Sequence, residues 1–65
     1  MTGWSFKIQA RDTDLAQTVC VAIADRLQAT IRALQFTDGV VVFEKPLSEA
    51  VFRKLRMKAN DVKLI

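Results

Sequence analysis

Asp38-Gly39 is the strongest constraint in the chain. An aspartate followed by glycine between two apolar runs, Ile31 to Phe36 and Val40 to Phe43, signals a two-residue hairpin turn, whose central residues need a positive φ. Such a turn fixes a register. Thr37 then faces Val40, Phe36 faces Val41, Leu34 faces Phe43 and Arg32 faces Lys45. Opposed residues share a face of the sheet. Leu34, Phe36, Val41 and Phe43 are therefore expected in the core, and Ala33, Gln35, Val40, Val42 and Glu44 on the open side.

Each flank of this hairpin carries one more strand pattern and one helical pattern. Trp4, Phe6, Ile8 and Ala10 alternate with Ser5, Lys7 and Gln9, the period of a strand with one buried face. Arg11-Asp12-Thr13-Asp14 supplies a helix start, with Asp12 or Thr13 as N-cap and Asp14 where the helix dipole favours negative charge. The predicted helix runs to about Ala29, with Leu15, Ala16, Val19, Cys20, Ile23 and Leu27 on its buried face. Beyond the hairpin, Lys45-Pro46 ends a strand. Ser48-Glu49 opens a second helix to about Ala59, with Val51, Phe52, Leu55 and Ala59 as its stripe, and Val62 to Ile65 forms a last strand.

The order strand, helix, strand, strand, helix, strand resembles the ferredoxin-like fold. That resemblance rests on element order across the whole chain. It implies a single α+β sandwich over residues 1–65: a four-stranded antiparallel βαββαβ sheet in the order 4-1-3-2, with both helices on one face. The fold hosts many unrelated activities, so it carries little functional information.

A domain of 65 residues buries only about 60% of the surface its unfolded chain exposes, and its core rarely supplies more than about 3–5 kcal/mol. It usually needs a staple. With a lone cysteine, Cys20, and no histidine, disulfides and structural zinc are poor candidates. Self-association is the remaining expectation, as a homodimer through the sheet face or an edge strand. The lone thiol suits a reducing compartment, and the first residues lack the basic-then-apolar pattern of a secretory leader. The longest apolar run, Val19 to Ala24, is far shorter than the roughly 18 residues of a membrane span. A soluble cytoplasmic protein is expected.

Catalytic equipment is sparse. Acid–base and nucleophilic catalysis need a tunable group beside an activating partner, and the sequence has neither histidine nor tyrosine. Cys20 sits beside an apolar stripe, where a small buried hydrophobe is the plainer reading. Ser5 has no adjacent base, and Ser48 already serves as a cap. Asp12 and Asp14 could hold a hard cation, but helix capping explains both. Arg11-Asp12-Thr13-Asp14 also stands where metal chaperones of the resembled fold place a CxxC motif. No enzyme activity, cofactor or metal is expected.

Charge is more informative. Residues 1–40 hold four basic and four acidic side chains, whereas residues 41–65 hold six basic and three acidic. Arg53, Lys54, Arg56 and Lys58 fan around the outer side of the second predicted helix. Such a face contacts phosphates without reading sequence, or is simply solvated. The predicted open sheet face shows no aromatic residue on which a base would stack. It does show Val40 and Val42, an apolar strip with a polar rim. Met57, ringed by Arg53, Lys54 and Arg56, is read as an exposed anchor for an acidic protein surface.

The sequence thus predicts a non-enzymatic protein–protein interaction module, a small regulator or inhibitor of the kind phages and mobile elements carry. Its partner-binding residues are Arg53, Lys54, Arg56, Met57, Lys58, Val40 and Val42. The alternative is nucleic-acid binding through Arg53, Lys54, Arg56 and Lys58.

Overall fold

The computed structural model describes residues 3–65. Four strands, β1 (Trp4–Gln9), β2 (Ala16–Val21), β3 (Val40–Pro46) and β4 (Val62–Leu64), form one antiparallel sheet in the order β3-β1-β2-β4. Two helices complete the α+β fold, α1 (Arg26–Phe36) between β2 and β3 and α2 (Glu49–Lys54) between β3 and β4. The element order is ββαβαβ, which corrects the ferredoxin-like order and its 4-1-3-2 sheet.

The correction begins at residues 10–15. Arg11-Asp12-Thr13-Asp14 does not open a helix; it is the tip of a β1–β2 hairpin in which Trp4 pairs with Val21 and Gln9 with Ala16. Ala10 N–H donates to Leu15 C=O at 3.0 Å and the Thr13 hydroxyl accepts from Leu15 N–H at 3.2 Å, closing the loop. The first half of the segment read as a helix is β2, while its last residues, Arg26 to Ala29, are the first turn of α1. β2 occupies the middle of the sheet and is covered on both faces at Val19, Cys20 and Val21. A strand buried on both faces loses its period-2 signature, and its apolar run matches a helical stripe equally well.

The helix instead starts at Asp25, whose carboxylate accepts from Leu27 and Gln28 N–H at 2.9 and 3.2 Å. Leu27, Gln28, Ala29, Arg32, Ala33, Leu34 and Gln35 are all good helix formers, and here that propensity wins over the β-like run Ile31 to Phe36. Asp38-Gly39 joins α1 to β3 and is not a hairpin turn. Gly39 is required for closeness: a Cβ there would collide with the Gln9 carbonyl oxygen and lie 2.8 Å from Ile8 Cγ2. The same residue type thus serves a tight approach to β1.

Alternation along the strands gives the sheet two covered faces. On one, Phe6, Ile8, Val19 and Val21 are fully buried beneath Ala29 and Ala33 of α1, with Trp4, Ile23, Val41 and Val62 at the margin. Each large side chain contributes about 1.5–3 kcal/mol by leaving water. Two alanines one turn apart let the helix sit close to the strands. On the opposite face, Cys20, Ala22, Leu47 and Met57 form a second cluster with Val51, Phe52 and Leu55 of α2 and its exit. One helix therefore covers each face, where the sequence placed both on one. Leu34, Phe36 and Phe43, assigned to the core, are exposed, as are Leu15 and Leu27.

α2 is shorter than predicted, and its end explains the fate of Met57. Leu55 is the C-cap, Arg56 takes the left-handed conformation at φ 54°, and Met57 N–H donates to Phe52 C=O at 3.1 Å while Arg56 N–H donates to Arg53 C=O at 3.0 Å. These two bonds, with Met57 packed near Phe52, make a Schellman termination. The chain turns back, and Met57 is 6% exposed beneath α2. It is not the exposed anchor the sequence suggested.

Candidate partner-binding face

β1 and β3 build the candidate site around the end of α2. Antiparallel pairing sets Lys7 opposite Phe43 and Ser5 opposite Lys45, while Cys20 lies opposite Lys63. These side chains share the face that carries α2. α2 covers only part of it. What remains open is a groove of about 420 Å³ lined by Ser5, Lys7, Thr18, Cys20, Phe43, Lys45, Pro46, Leu47, Ser48, Val51 and Ile65. Its size falls in the range of ligand and peptide pockets.

Chemically the groove is apolar with a cationic rim. Phe43, Pro46, Leu47, Val51 and Ile65 make its walls, Lys7 and Lys45 are its charged side chains, and no aspartate or glutamate is among its described lining residues. The floor is polar but quiet: Cys20 Sγ lies 3.8 Å from Ser5 Oγ, both buried. Neither is a base able to activate the other. Ser48 caps α2 by accepting from Val51 N–H at 3.2 Å, as its position in the sequence implies. Asp12 and Asp14 are exposed on the hairpin tip, and among the described residues no group of three potential metal ligands gathers.

None of the predicted basic residues lines this groove. Arg53, Lys54, Arg56 and Lys58 are all exposed on α2 and its exit, and Lys63 is exposed on β4. Among them Arg53 pairs with Glu49 at 3.6 Å, one helical turn away, an exposed contact of little energetic weight. With Lys7 and Lys45, seven of the chain's ten basic side chains belong to this side, against two of its seven acidic ones, Glu49 and Asp61. The remaining acids sit on the hairpin tip, at the ends of α1, and at Glu44, which binds Arg26 at 2.9 Å on the α1 side.

Val40 and Val42 are exposed on β3, as read from the sequence, though they stand on an edge strand and not in the middle of the sheet. The ladder shifts register between Lys7 and Ile8, leaving Val42 as the extra residue opposite them. Phe43 is the functional candidate that sequence reasoning missed. It is 58% exposed on the open sheet face, where the wrong hairpin register had placed it in the core. No described helix is long and apolar enough to cross a membrane. No protein-family model, curated protein or solved structure matches the chain.

Proposed function

We propose that this protein is a non-enzymatic interaction module that binds an acidic, partly apolar protein segment on its α2 side, acting as a small regulator or inhibitor by occupying that partner's surface. The observation that supports this reading is the groove itself: apolar walls and a lysine rim with no aspartate or glutamate among its described lining residues. Apolar side chains of a partner would fill the space between Phe43, Leu47, Val51 and Ile65. Its carboxylates would meet Lys7 and Lys45, and a longer segment would reach Arg53 and Arg56 on α2 and its exit, which add directional bidentate bonds and accelerate encounter.

A second reading has its own observation. Phe43 stands exposed opposite Lys7, and an aromatic ring in a basic groove is how proteins hold single-stranded nucleic acid without sequence preference. One experiment separates the two. Binding is measured by fluorescence anisotropy with a labelled acidic peptide containing Leu and Phe, and with a labelled oligothymidine, each at low and high salt. The protein reading expects saturable peptide binding that falls at least about tenfold in Lys7→Glu/Lys45→Glu and survives moderate salt. Tight oligothymidine binding with steep salt dependence, lost in Phe43→Ala, would replace it with the nucleic-acid reading.

A further inference from the structure

α1 presents a second surface. Ala29 and Ala33 are its buried residues, whereas Leu27, Ile31 and Leu34 are 67%, 45% and 40% exposed. At about 100° per residue these three lie within roughly 60° of one another, on the side away from the two alanines. The helix is amphipathic twice over. Its large apolar residues form a stripe that no described residue covers fully, bordered by the uncharged Gln28, Thr30 and Gln35. Arg26 is drawn to Glu44 on β3.

We infer that the occupant of this stripe is a second copy of the same chain, docked α1 against α1 in antiparallel fashion about a two-fold axis near Ile31. The spacing suits such a pair: Leu27 is four residues before Ile31 and Leu34 three after, so Leu27 of each copy meets Leu34 of the other. Opposed helix dipoles add a favourable term, and no charge lies within the stripe.

The alternatives are poorer. Pairing the α2 sides would oppose two sets of lysines and arginines, and like charges juxtaposed at an interface are strongly unfavourable. The β3 edge carries a register shift and ends in Lys45-Pro46, and β4 has three residues. Such features blunt edge-to-edge pairing. Area sets the strength. The three side chains present on the order of 300 Å² of apolar surface per copy, against about 800 Å² per partner in a standard stable interface. The stripe alone is thus less than half of such an interface, so a weak dimer is expected, dissociating at the upper end of the concentrations tested below. The inference stands independently of what binds the α2 side.

The test is sedimentation equilibrium of the full chain from about 1 to 500 µM, with circular dichroism to confirm that each variant is folded. A reversible monomer–dimer equilibrium is expected, weakened at least about thirtyfold in Ile31→Glu and in Leu27→Gln, and unchanged in Phe43→Glu. Ile31→Cys should form a disulfide-linked dimer on mild oxidation while Val42→Cys does not, since the native Cys20 is only 1% exposed. A wild type that stays monomeric throughout, a dimer that survives Ile31→Glu but is lost in Phe43→Glu, or cross-linking through Val42→Cys in place of Ile31→Cys would overturn the inference.

Discussion

Replacing Arg56 by glycine should make the protein more stable. Arg56 holds φ at 54° so that the chain can turn back at the end of α2 and bury Met57. For a residue with a Cβ, that left-handed conformation costs roughly 1–2 kcal/mol, and glycine avoids it. Glycine's greater freedom in the unfolded chain returns about 0.5–1 kcal/mol. The termination bonds survive because they join backbone groups, Met57 to Phe52 at 3.1 Å and Arg56 to Arg53 at 3.0 Å. The Arg56 side chain is exposed and has no ion pair among the described residues. A net gain of about 0.5–1 kcal/mol follows, or about 3–6 °C in melting temperature for a domain of this size. Thermal and urea unfolding by circular dichroism, with an unchanged m-value, measure it. Arg53→Gly is the internal control. It places glycine inside α2 and should lose about 1 kcal/mol, so two Arg→Gly changes three residues apart move in opposite directions. An Arg56→Gly variant that melts at or below the wild type refutes the termination argument.

Met57→Ala removes a side chain that is 6% exposed in the second cluster, and should cost about 2 kcal/mol, read from urea midpoints. A cost below about 0.5 kcal/mol would return Met57 to the surface role the sequence suggested. Binding of the acidic peptide should fall about tenfold in Lys7→Glu/Lys45→Glu without a change in melting temperature, because both lysines are exposed.

The α+β class with a four-stranded antiparallel sheet, β1 and the Ser48 cap were legible in the sequence, because each rests on a local signal that tertiary packing did not override; the element order, which is not the ferredoxin-like one, was not. Trp4, Phe6 and Ile8 share the α1-covered face as their alternation demands. The middle of the chain misled. Val19, Cys20 and Val21 are covered on both sides, which erases alternation, and Ile31 to Phe36 is an apolar run because α1 carries an uncovered stripe, not because it is a strand. One physical fact lies behind both errors: periodicity reports which residues avoid water, and it assumes a single buried face per element. Asp25 with Gln28 three residues on was the available helix-start signal, and the Asp38-Gly39 pair outweighed it. The exposure of Arg53, Lys54, Arg56 and Lys58 was legible because charge clustering does not depend on register. Phe43 was missed because it does. Met57 was misplaced because an arginine, not glycine, occupies the left-handed position that ends α2.

The hydrophobic content is 51%, yet among the described residues the largest fully buried side chains are Phe6, Ile8, Val19 and Val21 together with Cys20. Much of the remaining apolar surface is outside, and α1 shows the division most sharply, alanines inward and Leu27, Ile31 and Leu34 outward. A helix evolved only to cover the sheet has no use for that arrangement, since solvated positions favour charge. A small core and an uncovered stripe are complementary facts. If the stripe docks a second copy, association stabilises the native state by mass action, by about 2.7 kcal/mol when the free chain stands at a hundred times the dissociation constant. That is comparable with the roughly 3–5 kcal/mol a core of this size supplies alone, and it would do what a disulfide or metal does in other small domains. The melting temperature should therefore rise with protein concentration and become independent of it in Ile31→Glu. A melting temperature that ignores concentration in the wild type would mean that the core suffices, and that α1 keeps its stripe for a different occupant.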